Sequence, residues 1–294
     1  MATLMAGCAA TTAPPGDPVS TPPTLDLGAL WNFGDPAASE ARFRDELARR
    51  DGDDAFILQT QIARTHGLRR DIDRSRGLLR SIEPQRDRAG AAAQVHWWLE
   101  WGRTWSSAVH DAASQTPEAR AQARHAFERA IELARSHRLD GLHIDALHMM
   151  AFVDRAPADQ LRWGREALAV VEASAQPAAR RWEASIRNNV GVALHELGRF
   201  DEALVEFRRA VALREAAGNA ASTRVAHWMV AWTLRAQGKL DEALAIQHRL
   251  EQENAAAGTP DRHVFAELAA LYRARGDAAR ADAYLERERS AARP

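Results

Sequence analysis

The segment Gly198-Arg-Phe-Asp-Glu-Ala-Leu204 returns forty residues later, nearly letter for letter, as Gly238-Lys-Leu-Asp-Glu-Ala-Leu244. Around the first copy, Ala184 to Asn219 carries two apolar stripes at helical spacing. One runs through Ile186, Val190, Gly191, Leu194 and Leu197; the other through Phe200, Ala203, Leu204, Phe207, Ala210, Val211 and Leu213. Gly198-Arg199 breaks the chain between them, and Gly218-Asn219 ends the second stripe as a glycine C-cap does. This predicts a helical hairpin. A lone hairpin cannot bury both stripes, so the chain must stack copies of it into an array.

Gly191, Leu194, Gly198, Phe200, Ala203, Phe207 and Ala210 stand at the spacing of the tetratricopeptide repeat, and the segment resembles that family. The resemblance implies an all-α, right-handed superhelical solenoid of antiparallel helix hairpins. The residue types fit the geometry. Gly191 lets two helices approach, Ala203 and Ala210 keep the second helix thin at the crossing, and Phe200 and Phe207 fill the remaining space.

Aligning the chain on this unit predicts six pairs, at 56–84, 95–135, 141–174, 178–218, 224–256 and 262–290, within an array spanning 53–290. Residues 35–52 read as a capping helix opened by Asp35-Pro36, and residues 1–34 as a disordered leader or tether. In the second pair Trp98, Gly102 and Trp105 take large, small and large positions, and helical spacing assigns Trp98, Trp101 and Trp105 to packing rather than to a ligand box. The second-helix alanine of that pair arrives late, so Ala108 to Pro117 is read as an inserted loop. In the third pair His148 stands where Gly191 stands, and local packing must shift to admit an imidazole. The pair spacing exceeds the common repeat of about 34 residues. Long units with Asn188-Asn189 ahead of the small residue resemble those of kinesin light chains and of bacterial regulators with extended repeats.

Composition narrows the function classes. A net charge of −1 gives no global preference for nucleic acid or an anionic membrane. No stretch reaches the roughly 18 apolar residues of a membrane span. A single cysteine excludes a disulfide framework and a multi-cysteine metal site. That cysteine, Cys8, follows Leu-Met-Ala-Gly in a pattern resembling the end of a bacterial lipoprotein signal, but no basic segment precedes it. The expectation is a cytoplasmic protein. The alternative is a periplasmic lipoprotein with Cys8 as the lipid attachment point, if translation starts upstream.

Chemistry-bearing motifs are absent from the sequence. There is no phosphate loop, dinucleotide fingerprint or nucleophile elbow. Asp145 and His148, one turn apart, lack a third metal ligand, so no metal and no cofactor is expected and their role reads as structural. His137, His143 and His148 read as packed or surface histidines. The chain is therefore read as a non-enzymatic scaffold that binds a protein or peptide partner. The alternatives are a ligand- or partner-sensing module of a bacterial regulatory system and, further off, a hydrolase or transferase built on a helical scaffold.

The resemblance also implies where a partner sits. In tetratricopeptide arrays the groove-facing positions lie three before, one after and four after the small residue. Carried onto this chain, they give Thr60, Arg64 and Gly67, then Leu99, Arg103 and Ser106, then Asp145, Met149 and Phe152. Further along they give Asn188, Val192 and His195, then Trp228, Trp232 and Arg235, and finally Arg273. Arg64, Arg103, Arg235 and Arg273 would hold carboxylates, Asn188 a peptide backbone, and Trp228 and Trp232 an apolar side chain. The expected ligand is an acidic segment with an apolar anchor. An uncapped end of such an array also suits stacking into a homo-oligomer.

Overall fold

The computed structural model describes residues 24–291, and Cys8 and most of the proposed leader lie outside them. Among the described residues there are fifteen helices and no strand. Two opening helices, α1 (Leu27–Leu30) and α2 (Pro36–Leu47), precede six hairpins. These are α3 (Gly52–Leu68) with α4 (Ile72–Arg86), α5 (Ala91–Arg103) with α6 (Pro117–Ser136), and α7 (Asp140–Val153) with α8 (Pro157–Ala173). After the one-turn helix α9 (Pro177–Arg180) come α10 (Glu183–Glu196) with α11 (Phe200–Ala216) and α12 (Ala220–Ala236) with α13 (Leu240–Ala256). The last is α14 (Arg262–Ala274) with α15 (Ala278–Ala291). Each hairpin packs mainly on the one before and the one after, which makes the chain a solenoid.

Seven helix ends share one chemistry. Gly198, Gly218, Gly238, Gly258 and Gly276 all have positive φ, and the amide after each turn bonds back five residues, as Arg199 N–H does to the Leu194 carbonyl at 2.9 Å. Arg70 and Arg138 fill the same left-handed position without being glycine, at φ 65° and 54°. The first pair runs slightly past the boundary at 84 expected from the sequence: α4 continues through Pro84 to Arg86, although a proline inside a helix forfeits the bond to the carbonyl four residues back.

Packing explains the small positions. A Cβ on Gly191 would lie 2.6 Å from Phe207 Cε1, and one on Gly102 would lie 2.3 Å from Phe127 Cε1. Phe127 and Phe207 are fully buried, each filling the space that its facing glycine leaves. In the third hairpin the sizes are exchanged. His148 occupies the glycine register of α7, and Gly164 occupies the phenylalanine register of α8, three residues before Ala167 as Phe207 is before Ala210. That exchange admits the imidazole. It also draws α10 in, since a Cβ on Gly164 would meet Val190 Cγ2 at 2.8 Å.

Two elements differ from the sequence reading. Residues 25–34 do not all belong to a free leader. Leu25, Leu27, Leu30 and Trp31 pack on Phe43, Leu58 and Ile62, and the Trp31 indole N–H donates to Gln61 Oε1 at 3.1 Å. Among the α5 tryptophans it is Trp97, outside the expected set, that is fully buried, donating to the Leu79 carbonyl at 3.0 Å. Trp98, Trp101 and Trp105 pack against the core only in part. Helical phase explains this: α5 turns its Trp97 edge toward α4 of the preceding hairpin.

Candidate functional site

The first helices of the pairs line one face of the solenoid, and on it α3, α5 and α7 enclose a cavity of about 190 Å³. Arg64 and Gly67 of α3, Glu100 and Arg103 of α5, and Asp145, His148, Met149 and Phe152 of α7 border it. The connection between α5 and α6 supplies Ser107, Ala108 and Val109 to the wall, so the inserted segment is part of the site. Ser106 anchors that connection: its hydroxyl donates to Gln115 Oε1 at 2.8 Å. A second cavity of about 260 Å³ adjoins the first, with His148 and Phe152 common to both. It is bounded by Leu147, Ala151, Gly164, Ile186, Asn189 and Val192, which is where the exchanged sizes of His148 and Gly164 leave room.

A buried ion cluster sits at the base of the first cavity. Arg103 donates from Nη1 to Glu100 Oε1 at 2.5 Å and from Nη2 to Asp145 Oδ1. Arg64 Nη1 lies 3.7 Å from the same Glu100 oxygen. Register accounts for Arg64, Arg103 and Asp145; Glu100, one turn before Arg103 on α5, is the carboxylate that both arginines share. Burial tends to raise the Asp145 carboxyl, yet Arg103 and Arg64 outweigh it and hold the group below its ordinary value. Burial dominates at Glu100 and pushes that carboxyl up despite the same arginines. Burial also depresses His148, and lowers His96 to about 4, so both imidazoles are neutral at pH 7. His148 Nδ1 pairs with Asn189 Nδ2 at 3.0 Å. On the outer side the Arg64 guanidinium carbon lies 5.3 Å from the Trp31 ring centre and 5.4 Å from that of Phe33, and those two rings stack at 4.6 Å.

The groove list is thus divided by the structure. Arg64, Gly67, Arg103, Asp145, Met149 and Phe152 come together at one cavity. Thr60, Leu99 and Ser106 do not face a groove; they are buried, because α3, α5 and α7 pack too closely there to leave those positions open. Asn188 is half-buried with its Oδ1 unpartnered, and it is its neighbour Asn189 that reaches His148. In the second half the expected residues are engaged within the chain. Trp228 donates to the His263 carbonyl at 3.1 Å, and Trp232 stacks on His195 with ring centres 3.3 Å apart. Arg235 makes a two-pronged contact with Glu267 at 2.6 and 3.2 Å. Arg273 stands apart, 66% exposed, with Asp282 at 3.4 Å. The carboxylates that the arginines were expected to draw from a partner are supplied by Glu100, Asp145 and Glu267. Trp31, Phe33, Glu100 and Trp182, which lines the first cavity beside His148, carry no repeat-register signal in the sequence; only Glu100, one turn before Arg103 in a tryptophan-rich helix, leaves a local one.

The tetratricopeptide repeat family matches residues 182–249, which span α10, α11, α12 and the first part of α13. That stretch carries the tetratricopeptide repeat. Solved structures extend the likeness across the array. The apo form of RapI superposes with a TM-score of 0.67 at 10% identity, covering 90% of this chain and 74% of that one. Aspartyl phosphate phosphatase F from Bacillus subtilis gives 0.55 at 13%, covering 91% and 78%. NprR in complex with its cognate peptide NprX gives 0.54 at 15%, covering 91% and 76%. At these identities the likeness is one of fold. No curated protein sequence matches this chain. Among the described residues no helix is long and apolar enough to cross a membrane, and no group of three or more His, Cys, Asp or Glu side chains is placed to hold a metal ion.

Proposed function

We propose that this tetratricopeptide-type solenoid is an interaction scaffold that seats a short peptide segment of a partner protein on the inner face of α3, α5, α7 and α10. The observation that carries this reading is the pair of adjoining cavities sharing His148 and Phe152. Small-molecule and peptide anchors favour concave, largely apolar sites with a few converging polar groups, and here apolar walls meet Arg64, Glu100, Arg103, Asp145 and Asn189. The second cavity, bordered by Leu147, Ala151, Phe152, Ile186 and Val192, receives an apolar side chain of the peptide. NprR, which shares the fold, is a protein solved with its cognate peptide, and that precedent supports peptide binding here.

Panning a random library of peptides about ten residues long, about 33 Å when extended, against the full chain tests this. Enriched peptides are expected to lose binding to the Ala151→Phe variant, which fills the second cavity. No enrichment, or equal binding to that variant, would sink the reading.

A further inference from the structure

The wall between the two cavities is a ridge on α7. His148 and Phe152, one turn apart, border both, and Trp182 sits against His148 with ring centres 5.7 Å apart. All three rings are half-buried, so the ridge keeps accessible surface on the inner face, unlike the enclosed Glu100 beside it. The bond from Asn189 fixes the imidazole. Asn189 Nδ2 is a donor, so His148 Nδ1 accepts, and in the neutral ring the proton stands on Nε2. Among the described residues Nε2 has no partner, and it is not one of the polar atoms sealed from solvent without one. The ridge therefore offers one N–H that a bound molecule can reach.

Geometry then selects the backbone that crosses it. The first cavity lies between α3, α5 and α7 and the second between α7, α8 and α10, so one segment filling both must pass over α7. Neighbouring packed helices stand about 8–10 Å apart, and the two anchors of that segment need a similar separation. Side chains on one face of a β-strand recur every two residues, at about 6.6 Å and then about 13 Å. A polyproline II segment returns to the same face every three residues, about 9.3 Å, and leaves its carbonyls unpaired. Aromatic-lined grooves suit this conformation, and Phe152 and Trp182 supply such rings beside His148. We propose that the inner face takes a polyproline II segment across α7, with side chains three residues apart in the two cavities and a carbonyl between them accepting from His148 Nε2. This rests on the peptide-binding reading above.

The test uses peptides enriched by panning against the wild-type chain. Two constrained positions are expected, separated by two unconstrained ones. A synthetic copy with proline at both middle positions should bind within about threefold of the parent, because proline already holds φ near −65°. Anchors two or four residues apart, or a greater loss on proline substitution, overturn the proposal; a library with no enrichment overturns peptide binding itself. The His148 contact has its own readout. His148→Phe keeps a ring on the ridge but removes the N–H, and should weaken binding about fivefold by fluorescence anisotropy. Each peptide bond between the anchors is also replaced in turn by a trans-alkene, which removes the carbonyl. One such replacement should cost the wild type about fivefold and His148→Phe nothing. Equal losses in both proteins, or no loss at any bond, refute the contact. If circular dichroism shows that His148→Phe does not fold, the alkene series on the wild type decides alone: loss at a single bond is the expected result, and no loss or an equal loss at every bond refutes it.

Discussion

Replacing Arg103 by leucine is the sharpest test of the ion cluster. The guanidinium is almost wholly buried, its side chain 11% exposed, with Glu100 at 1% and Asp145 at 10%. Leucine keeps much of the volume but strands two carboxylates, with Arg64 3.7 Å from one of them as the remaining partner. Breaking a buried pair from one side costs about 3–5 kcal/mol. At about 2.1 cal/mol/K of unfolding entropy per residue over this length, the thermal midpoint at pH 7 should fall by about 5–9 °C. The deficit should also depend on pH. In the native wild type Asp145 sits below its ordinary value, so its contribution is present above pH about 4 and lost as pH falls through the lower folded value. Without Arg103 burial raises both carboxyls, the folded variant takes up protons first, and it gains stability as pH falls from 7 towards 5. The gap between variant and wild type is therefore expected to narrow by about 1 kcal/mol or more, one pKa unit being about 1.4 kcal/mol. Urea unfolding at both pH values measures it. A cost below about 1 kcal/mol, or a gap equal at pH 5 and pH 7, would refute the reasoning. Arg103→Leu combined with Asp145→Leu should recover part of the loss, since an apolar replacement removes one stranded charge.

Other expectations follow from the packing. Gly191→Ala places a Cβ 2.6 Å from the buried Phe207 ring and should cost about 1–3 kcal/mol in chemical denaturation. Adding Phe207→Leu should relieve part of that cost, because the clash is with the ring. Gly238→Ala has room but the wrong backbone, at φ 76°, and should cost about 1 kcal/mol with no change in ligand binding. Trp31→Ala removes the bond to Gln61 and the ring over Arg64. Hydrogen exchange should then quicken in α2 and α3 while α12 to α15 stay unchanged, because each hairpin leans only on its neighbours; quickening throughout the chain would contradict that.

Much of the fold was readable from local pattern. The stripes of α10 and α11, the glycine between them and the copy forty residues on specify a hairpin and its repetition, since helix phase and turn chemistry are properties of short segments. Gly191 facing Phe207 was readable for the same reason: the small and large positions lie in adjacent helices joined by one turn. His148 was legible as a departure from the repeat. Its consequence was not, because that depended on noticing that Gly164 exchanges sizes with it on the facing helix.

By itself, then, the sequence determined an all-helical solenoid and the register of its hairpins. Only the tertiary structure decided what the inward side chains do. Arg64 and Arg103 are separated by a whole hairpin in sequence yet share Glu100, and Arg103 also reaches Asp145 across the next pair. Trp228, Trp232 and Arg235 look free in sequence yet are held by His263, His195 and Glu267. The physical reason is the range of the interactions. Helix and turn preferences act over a few residues, whereas pairing and burial depend on which helices meet, and in a solenoid that is settled between neighbouring repeats.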